Sequence, residues 1–262
     1  MALLDLLVGA RARQPRGPAD DPEEDDPLRV PLGCPPLDAL LGGGVESAAL
    51  TEFYGEAGTG KTNACLQLAR NVARAGRKVV YIDTEGVSLE RLAQMCAAEG
   101  DFEQVRKSIL FFEPFTLDEQ EKVIDKACRL ALGNADIGVL LLDSATVFYR
   151  VGLADGEEVR DRRHLTQQLH QLLAVARQKG IPVVITNQVY TNLENNVFEP
   201  IGGQMLRHLS KAVVRLEKAG VGRRRGTIMK HRSIPEGSSA EFAIGESGLG
   251  PLAAELPPGR PA

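Results

Sequence analysis

Nowhere does the chain hold an unbroken apolar run near the roughly eighteen residues that a membrane-crossing helix needs, so no spanning helix is expected. The opening "MALLDLLVGARA" comes nearest to a leader, but Asp5 interrupts it and no basic stretch precedes it, as a secretory signal would require. Cysteine is scarce. Cys34, Cys65, Cys96 and Cys128 stand about thirty positions apart, without the close pairing of a zinc site, and read as reduced thiols. His164 and His170 have no acid or cysteine at ligand spacing, so they are not expected to hold metal. Positive charge is short as well: the formal net charge is -4 over 262 residues, which leaves any nucleic-acid binding to local basic surfaces. No internal repeat is visible. These absences fit a soluble cytoplasmic protein, and 43% hydrophobic residues suffice to fill the core of one large domain.

Residues 13–27, "RQPRGPADDPEEDDP", concentrate proline and acid with nothing to bury, so residues 1–27 are expected to form a disordered acidic extension. A domain is expected over 28–250, and a short disordered tail over 251–262. Within the domain, "AALTEFY" (48–54), "KVVYID" (78–83), "SILFFE" (108–113), "IGVLLLD" (137–143) and "IPVVITN" (181–187) are near-continuously apolar, as buried parallel strands are. Between them, "KTNACLQLARNVARAG" and "RHLTQQLHQLLAVARQKG" repeat apolar residues at helical spacing and close on glycine. Strand alternating with helix predicts a doubly wound α/β sheet, mostly parallel. "AVVRLEKA", "RGTIMKHRS" and "AEFAIGES" read as a C-terminal antiparallel extension.

"GEAGTGKTN" supplies the chemistry. Gly55, Gly60, Lys61 and Thr62 complete G-x-x-x-x-G-K-[ST] between a strand and an amphipathic helix, the context a P-loop needs. Gly55, Glu56, Ala57, Gly58, Thr59, Gly60, Lys61, Thr62 and Asn63 are therefore the candidate nucleotide-binding residues. Backbone N–H groups would surround the phosphates, Lys61 would reach the β and γ groups, and Thr62 would offer a hydroxyl to Mg²⁺. A second acid for the metal is expected at Asp143, at the tip of "VLLLD", although the same aspartate could cap the segment after it. Glu85, just past the strand tip in "YIDTEG", is the candidate general base; Asp83 reads as structural.

Five blocks resemble, in order and spacing, the ATPase core of the RecA/RadA recombinases: "LGCPPLDALLGGGVESAALTEFYGEAGTGKTN", "YIDTEGVSLERL", "LLLDSATVFYR", "VVITNQV" and "PIGGQMLRHLSKAVVRLEK". The resemblance covers about residues 30–250. It implies a RecA-like P-loop NTPase using ATP and Mg²⁺, with Glu85 polarising water, Asp143 on the metal, and Gln188 sensing the γ-phosphate at the root of a DNA-binding loop. It also implies that Arg91 and Pro235 flank adenine. Departures are visible. The first phenylalanine is Phe53, so the family's linker Phe motif, which docks on the next subunit, is not seen. The segment between Gln188 and Gly202 is short for the second DNA loop, and Lys230 stands where archaeal members often place an aspartate. A core of this kind is similar to the archaeal RadB paralogues within the family, which implies recombination partners such as a RadA recombinase or a junction-resolving nuclease. A strand-exchange recombinase and a KaiC-like signalling ATPase are the alternatives.

DNA, single-stranded or duplex and without sequence preference, has three candidate binding regions. A first loop, "YRVGLADGEEVRDRRH", carries Arg150, Arg160, Arg162 and Arg163. A second, "YTNLENNVFEP", offers Tyr190, Asn192 and Phe198 for stacking and backbone contacts. A third cluster, Arg223, Arg224, Arg225, Lys230, His231 and Arg232, brackets a predicted hairpin and could cradle phosphates, at a distance from the P-loop.

Overall fold

The structure, a computed structural model, describes residues 28–149, 158–192 and 197–252; the acidic extension expected from sequence, and the expected C-terminal tail from residue 253 on, lie outside these. A small antiparallel pair, β1 (Arg29–Val30) with β2 (Val45–Glu46), flanks α1 (Pro35–Leu40). Then follow β3 (Leu50–Tyr54), α2 (Lys61–Arg74), β4 (Lys78–Asp83), α3 (Leu89–Cys96), α4 (Phe102–Ser108), β5 (Ile109–Phe112), α5 (Leu117–Gly133) and β6 (Ile137–Asp143). After them come α6 (Glu158–Lys179), β7 (Val183–Asn187), β8 (Val189–Asn192), β9 (Val197–Pro200), α7 (Gly203–Leu209), β10 (Ala212–Gly220), β11 (Arg223–Lys230), β12 (Ser239–Gly245) and β13 (Gly248–Gly250).

Nine strands form one sheet in the order β13-β12-β11-β10-β3-β7-β6-β4-β5. The five apolar runs of the sequence are its five parallel strands β3, β7, β6, β4 and β5. Their apolar character is continuous because both faces are covered, with successive side chains pointing to opposite sides. Val79 and Tyr81 of β4 join the core under α2 and α3, while Val80 and Ile82 join the core under α5 and α6. The antiparallel extension begins one strand later than the sequence suggested. β10 still runs parallel to β3, pairing Ala212 with Thr51 and Arg215 with Tyr54, and the reversal comes at the turn into β11. The reason is α7, which returns the chain to the start of the sheet before β10 begins.

Two expected loops are partly regular. On either side of residues 193–196, which are outside the described residues, β8 and β9 pair antiparallel as the two arms of a hairpin, with Tyr190 opposite Glu199 and Thr191 opposite Phe198. Arg160, Arg162 and Arg163 lie on the first turns of α6 rather than in a loop; Arg150 is outside the described residues. All four cysteines are buried and unpaired, and burial pushes the Cys34 and Cys128 thiols up to about 11, so they are inert packing groups. Among the described residues no helix is long and apolar enough to cross a membrane.

Candidate nucleotide site

A parallel sheet puts the ends of its strands on one edge, and the sequence places a functional group at each of four adjacent ends. The loop 55–60 leaves β3 and enters α2, Glu85 follows β4, Asp143 closes β6, and Gln188 follows β7. The loop, Glu85 and Gln188 meet around a cavity of about 380 Å³ lined by Gly55, Glu56, Ala57, Gly58, Gly60, Lys61, Thr62, Asn63, Glu85, Gln188, Val189 and Phe198, while Asp143 is buried and does not line it.

Glycine is required at two points of the loop. A Cβ at Gly55 would sit 2.1 Å from the carbonyl oxygen of Leu216 on β10, closer than backbone atoms can approach. Gly60 caps α2 at φ 106, with no side chain capping the helix, so the first N–H groups of α2 face outward as an anion site. Lys61 Nζ donates to the carbonyls of Gly55 at 2.7 Å and Glu56 at 2.9 Å. Its burial lowers the ammonium's pKa, opposed by the charges of Glu85 and Asp143.

Glu85 owes its place to Asp83. The Asp83 carboxylate accepts the N–H groups of Glu85 at 3.1 Å, Gly86 at 2.9 Å and Val87 at 2.6 Å, which folds the turn that presents Glu85 to the cavity. Gln188 Nε2 donates to Glu85 Oε1 at 2.9 Å. Asp143 is fully buried; Tyr81 Oη donates to it at 2.8 Å and Thr186 Oγ1 donates to its other oxygen. Burial pushes its carboxyl up, while the hydroxyls of Thr186, Tyr81 and Thr62 pull it back toward ionisation. A desolvated carboxylate beside a threonine hydroxyl at the start of a P-loop helix fits Mg²⁺, and the side-chain-free cradle above α2 fits the phosphates of a nucleotide.

Arg91 is brought to this edge: its Nε donates to Asn63 Oδ1 at 2.7 Å and its guanidinium reaches the carbonyl of Gly245 at 2.7 Å. Pro235 is not. It sits in the 231–238 connection between β11 and β12, and because β11 runs opposite to β3 that connection lies at the other edge of the sheet, away from the same chain's P-loop. Lys230, noted in the sequence as a departure from the family pattern, caps α7, with Nζ donating to the carbonyls of Arg207 at 2.5 Å and Ser210 at 2.8 Å.

The basic cluster on β11 is not remote from the nucleotide site, contrary to the expectation from sequence. The β10–β11 turn folds over the P-loop, and Arg224 Nε donates to the carbonyl of Gly58 at 2.9 Å. Arg223 and Arg225, on the opposite face of the strand, share Glu241 of β12 at 2.5 and 2.7 Å. Arg160 faces Asp118 at 3.7 Å, whereas Arg162 and Arg163 border a shallow hollow with Thr166, Gln167 and His170. Tyr190 Oη donates to Glu199 at 2.9 Å. Asn192 closes β8 opposite Val197. Phe198, half exposed, belongs to the nucleotide cavity as well as to the hairpin; nothing local in the sequence signals this, because it depends on the hairpin folding back over β3.

Known proteins resemble this chain in sequence and fold. A family model described as Rad51 matches residues 24–251. The DNA repair and recombination protein RadB of Methanococcoides burtonii is 45% identical over 217 residues, covering 82% of this chain and 95% of that protein. The protein of the same description from Archaeoglobus fulgidus is 40% identical over 225 residues, covering 86% and 99%. A crystal structure of the RadB recombinase superposes with a TM-score of 0.73 at 33% identity, covering 86% of this chain and 100% of that one. The mostly parallel sheet with antiparallel strands at its C-terminal side is thus a fold shared with these proteins, and the chain belongs to the Rad51 family, on its RadB branch.

Proposed function

We propose that this protein is an ATP- and DNA-binding accessory factor in DNA repair and homologous recombination, with weak or DNA-modulated ATP hydrolysis. One observation carries the reading: the hydrogen bond from Gln188 to Glu85 over the P-loop. It joins the carboxylate suited to activate water with the residue immediately before the hairpin suited to meet DNA. Phosphates would dock on the exposed N–H groups of α2. Lys61 would exchange its two carbonyl partners for the β and γ oxygens, a stronger, charge-assisted pairing. Mg²⁺, held by Thr62 and Asp143 when bound, supplies charge neutralisation on the transferring phosphoryl group. Glu85 takes the proton of the attacking water, and Gln188 changes its partner as the γ-phosphate arrives or leaves. Arg91 closes the α2 side of the site through Asn63.

DNA contacts are assigned to Arg162 and Arg163 at the start of α6, to Tyr190 on the hairpin and to Arg223 and Arg225 on β11. Such groups offer charge and stacking without a helix aimed into a major groove, so binding would be independent of sequence. A RadA-type recombinase or a junction-resolving nuclease is the protein partner this role calls for. Lys61→Ala should abolish or strongly weaken ATP binding, while Glu85→Gln should retain ATP and lose hydrolysis; unchanged ATP affinity in the first variant, or parental turnover in the second, would refute the assignments. Size measurement with ATP and single-stranded DNA separates the accessory role, which gives small complexes, from a strand-exchange recombinase, which gives long filaments.

A further inference from the structure

A carboxylate stands in the middle of the sheet where nothing in the nucleotide site uses it. Glu52, at the centre of β3, is 1% exposed, although its strand could be filled by a β-branched apolar residue at lower desolvation cost. Its direct partners explain the choice. Asn187 Nδ2 donates to Glu52 Oε1 at 2.8 Å and to the carbonyl of Ile201 at 2.9 Å, while Asn187 Oδ1 accepts from Thr146 Oγ1 at 2.7 Å. Both N–H groups of the amide and its oxygen are therefore engaged, which fixes its orientation. Asn187 also accepts through its backbone carbonyl from the N–H of Gly55, the first P-loop residue, at 3.4 Å, and Ile201 donates its N–H to the carbonyl of Gln188 at 3.0 Å. The two feet of the β8–β9 hairpin are thus tied to one buried amide, and that amide is tied to Glu52.

We propose that Glu52, acting through Asn187, is a positioning residue that holds Gln188 and the β8–β9 hairpin in register with the P-loop. The proposal rests on the nucleotide reading of the site and adds the part that transmits it. Other charges near Glu52 are committed elsewhere: Lys230 to the carbonyls at the end of α7, and Arg207 to the carbonyl of Met229 and to Glu236. Glu199 and Tyr54 line the adjoining cavity with Glu52, and Ser210, whose hydroxyl donates to the carbonyl of Leu206 at 2.8 Å, stands beside it. Desolvation raises the Glu52 carboxyl to about 7, against the pull of Asn187, Ser210, Lys230 and Arg207. Near neutral pH the link therefore exists in a tighter, ionised form and a looser, protonated one.

Hydrogen exchange over residues 188–205 tests this in the parent, Glu52→Ala and Glu52→Gln, with and without a non-hydrolysable ATP analogue whose affinity is measured separately. Without nucleotide, Glu52→Ala should speed exchange at the Ile201 amide by roughly tenfold, the loss of about one hydrogen bond's worth of protection, with α2 unchanged. Glu52→Gln, which keeps an acceptor for Asn187, should restore most of the protection. With the analogue bound, the parent hairpin should respond and the Glu52→Ala hairpin should not. After correction for the chemical pH dependence, parental protection should rise as pH passes upward through about 7, and the Glu52→Gln profile should be flat. Parental exchange in Glu52→Ala, or an equal rise over α2 and the hairpin that Glu52→Gln does not repair, overturns the proposal. If the parent binds no nucleotide, the ATP reading fails, and the nucleotide-free comparison still decides the role of Glu52.

Discussion

Replacing Glu52 with glutamine should change how stability depends on pH, and the size of the change follows from the burial of that carboxyl. Its pKa stands at about 7 in the fold against 4.5 for the free side chain. Between those values the folded chain binds a proton that the unfolded chain has released, so the parent loses stability as pH rises through the window and loses no more from this group above it. At about 1.4 kcal/mol per pKa unit, the whole window is worth roughly 3 kcal/mol. Glutamine does not titrate. The stability difference between Glu52→Gln and the parent should therefore shift in the variant's favour by about that amount between mildly acidic and mildly alkaline pH, or roughly 6–12 °C in melting temperature for a chain of this size. Thermal unfolding followed by circular dichroism at four or five pH values gives the comparison, and subtraction of the two curves removes groups such as Asp143, whose raised pKa is common to both. Parallel curves for the two proteins would show that Glu52 is ionised without cost and would refute the reasoning.

Other perturbations separate the interactions around the P-loop. Gly55→Ala would force a methyl onto the Leu216 carbonyl, so it should cost at least about 2 kcal/mol or displace the loop; unfolding and ATP titration would detect either, and a parental result in both would contradict the close approach. Arg224→Ala removes the hydrogen bond to Gly58 and should weaken ATP roughly three- to tenfold, whereas Arg223→Ala should leave ATP affinity unchanged; equal effects of the two on ATP would deny the hydrogen bond a role in the site. For DNA, Arg223→Ala with Arg225→Ala should flatten the slope of log affinity against log salt by about 0.7 for each phosphate left without its arginine on single strands. Glu241→Gln, by releasing both arginines from their shared carboxylate, should strengthen DNA binding and steepen that slope; no change in either variant would mark the strand as a solvated face.

The apolar runs and the spacing of "GEAGTGKT" determined much of this protein unaided. A strand buried on both faces has no polar alternation to obscure it, so β3 to β7 could be placed within two residues, and a P-loop needs glycines and lysine at fixed intervals because the phosphate fixes the geometry. Glu85 and Asp143 were legible for a related reason: a parallel sheet delivers the residue after each strand to one edge. What sequence could not carry was the path of the chain between distant segments. Whether Arg224 meets DNA or Gly58, and which edge receives Pro235, depend on the direction of β11, set by a turn and by α7 returning the chain beside β3. Phe198 enters the nucleotide cavity only because a hairpin folds over it. In the sequence Glu52 is one acid within the run 48–54, with nothing local to mark it; its meaning lies in Asn187, 135 residues away in sequence, and a hydrogen bond across that separation is decided by packing two strands side by side in the sheet.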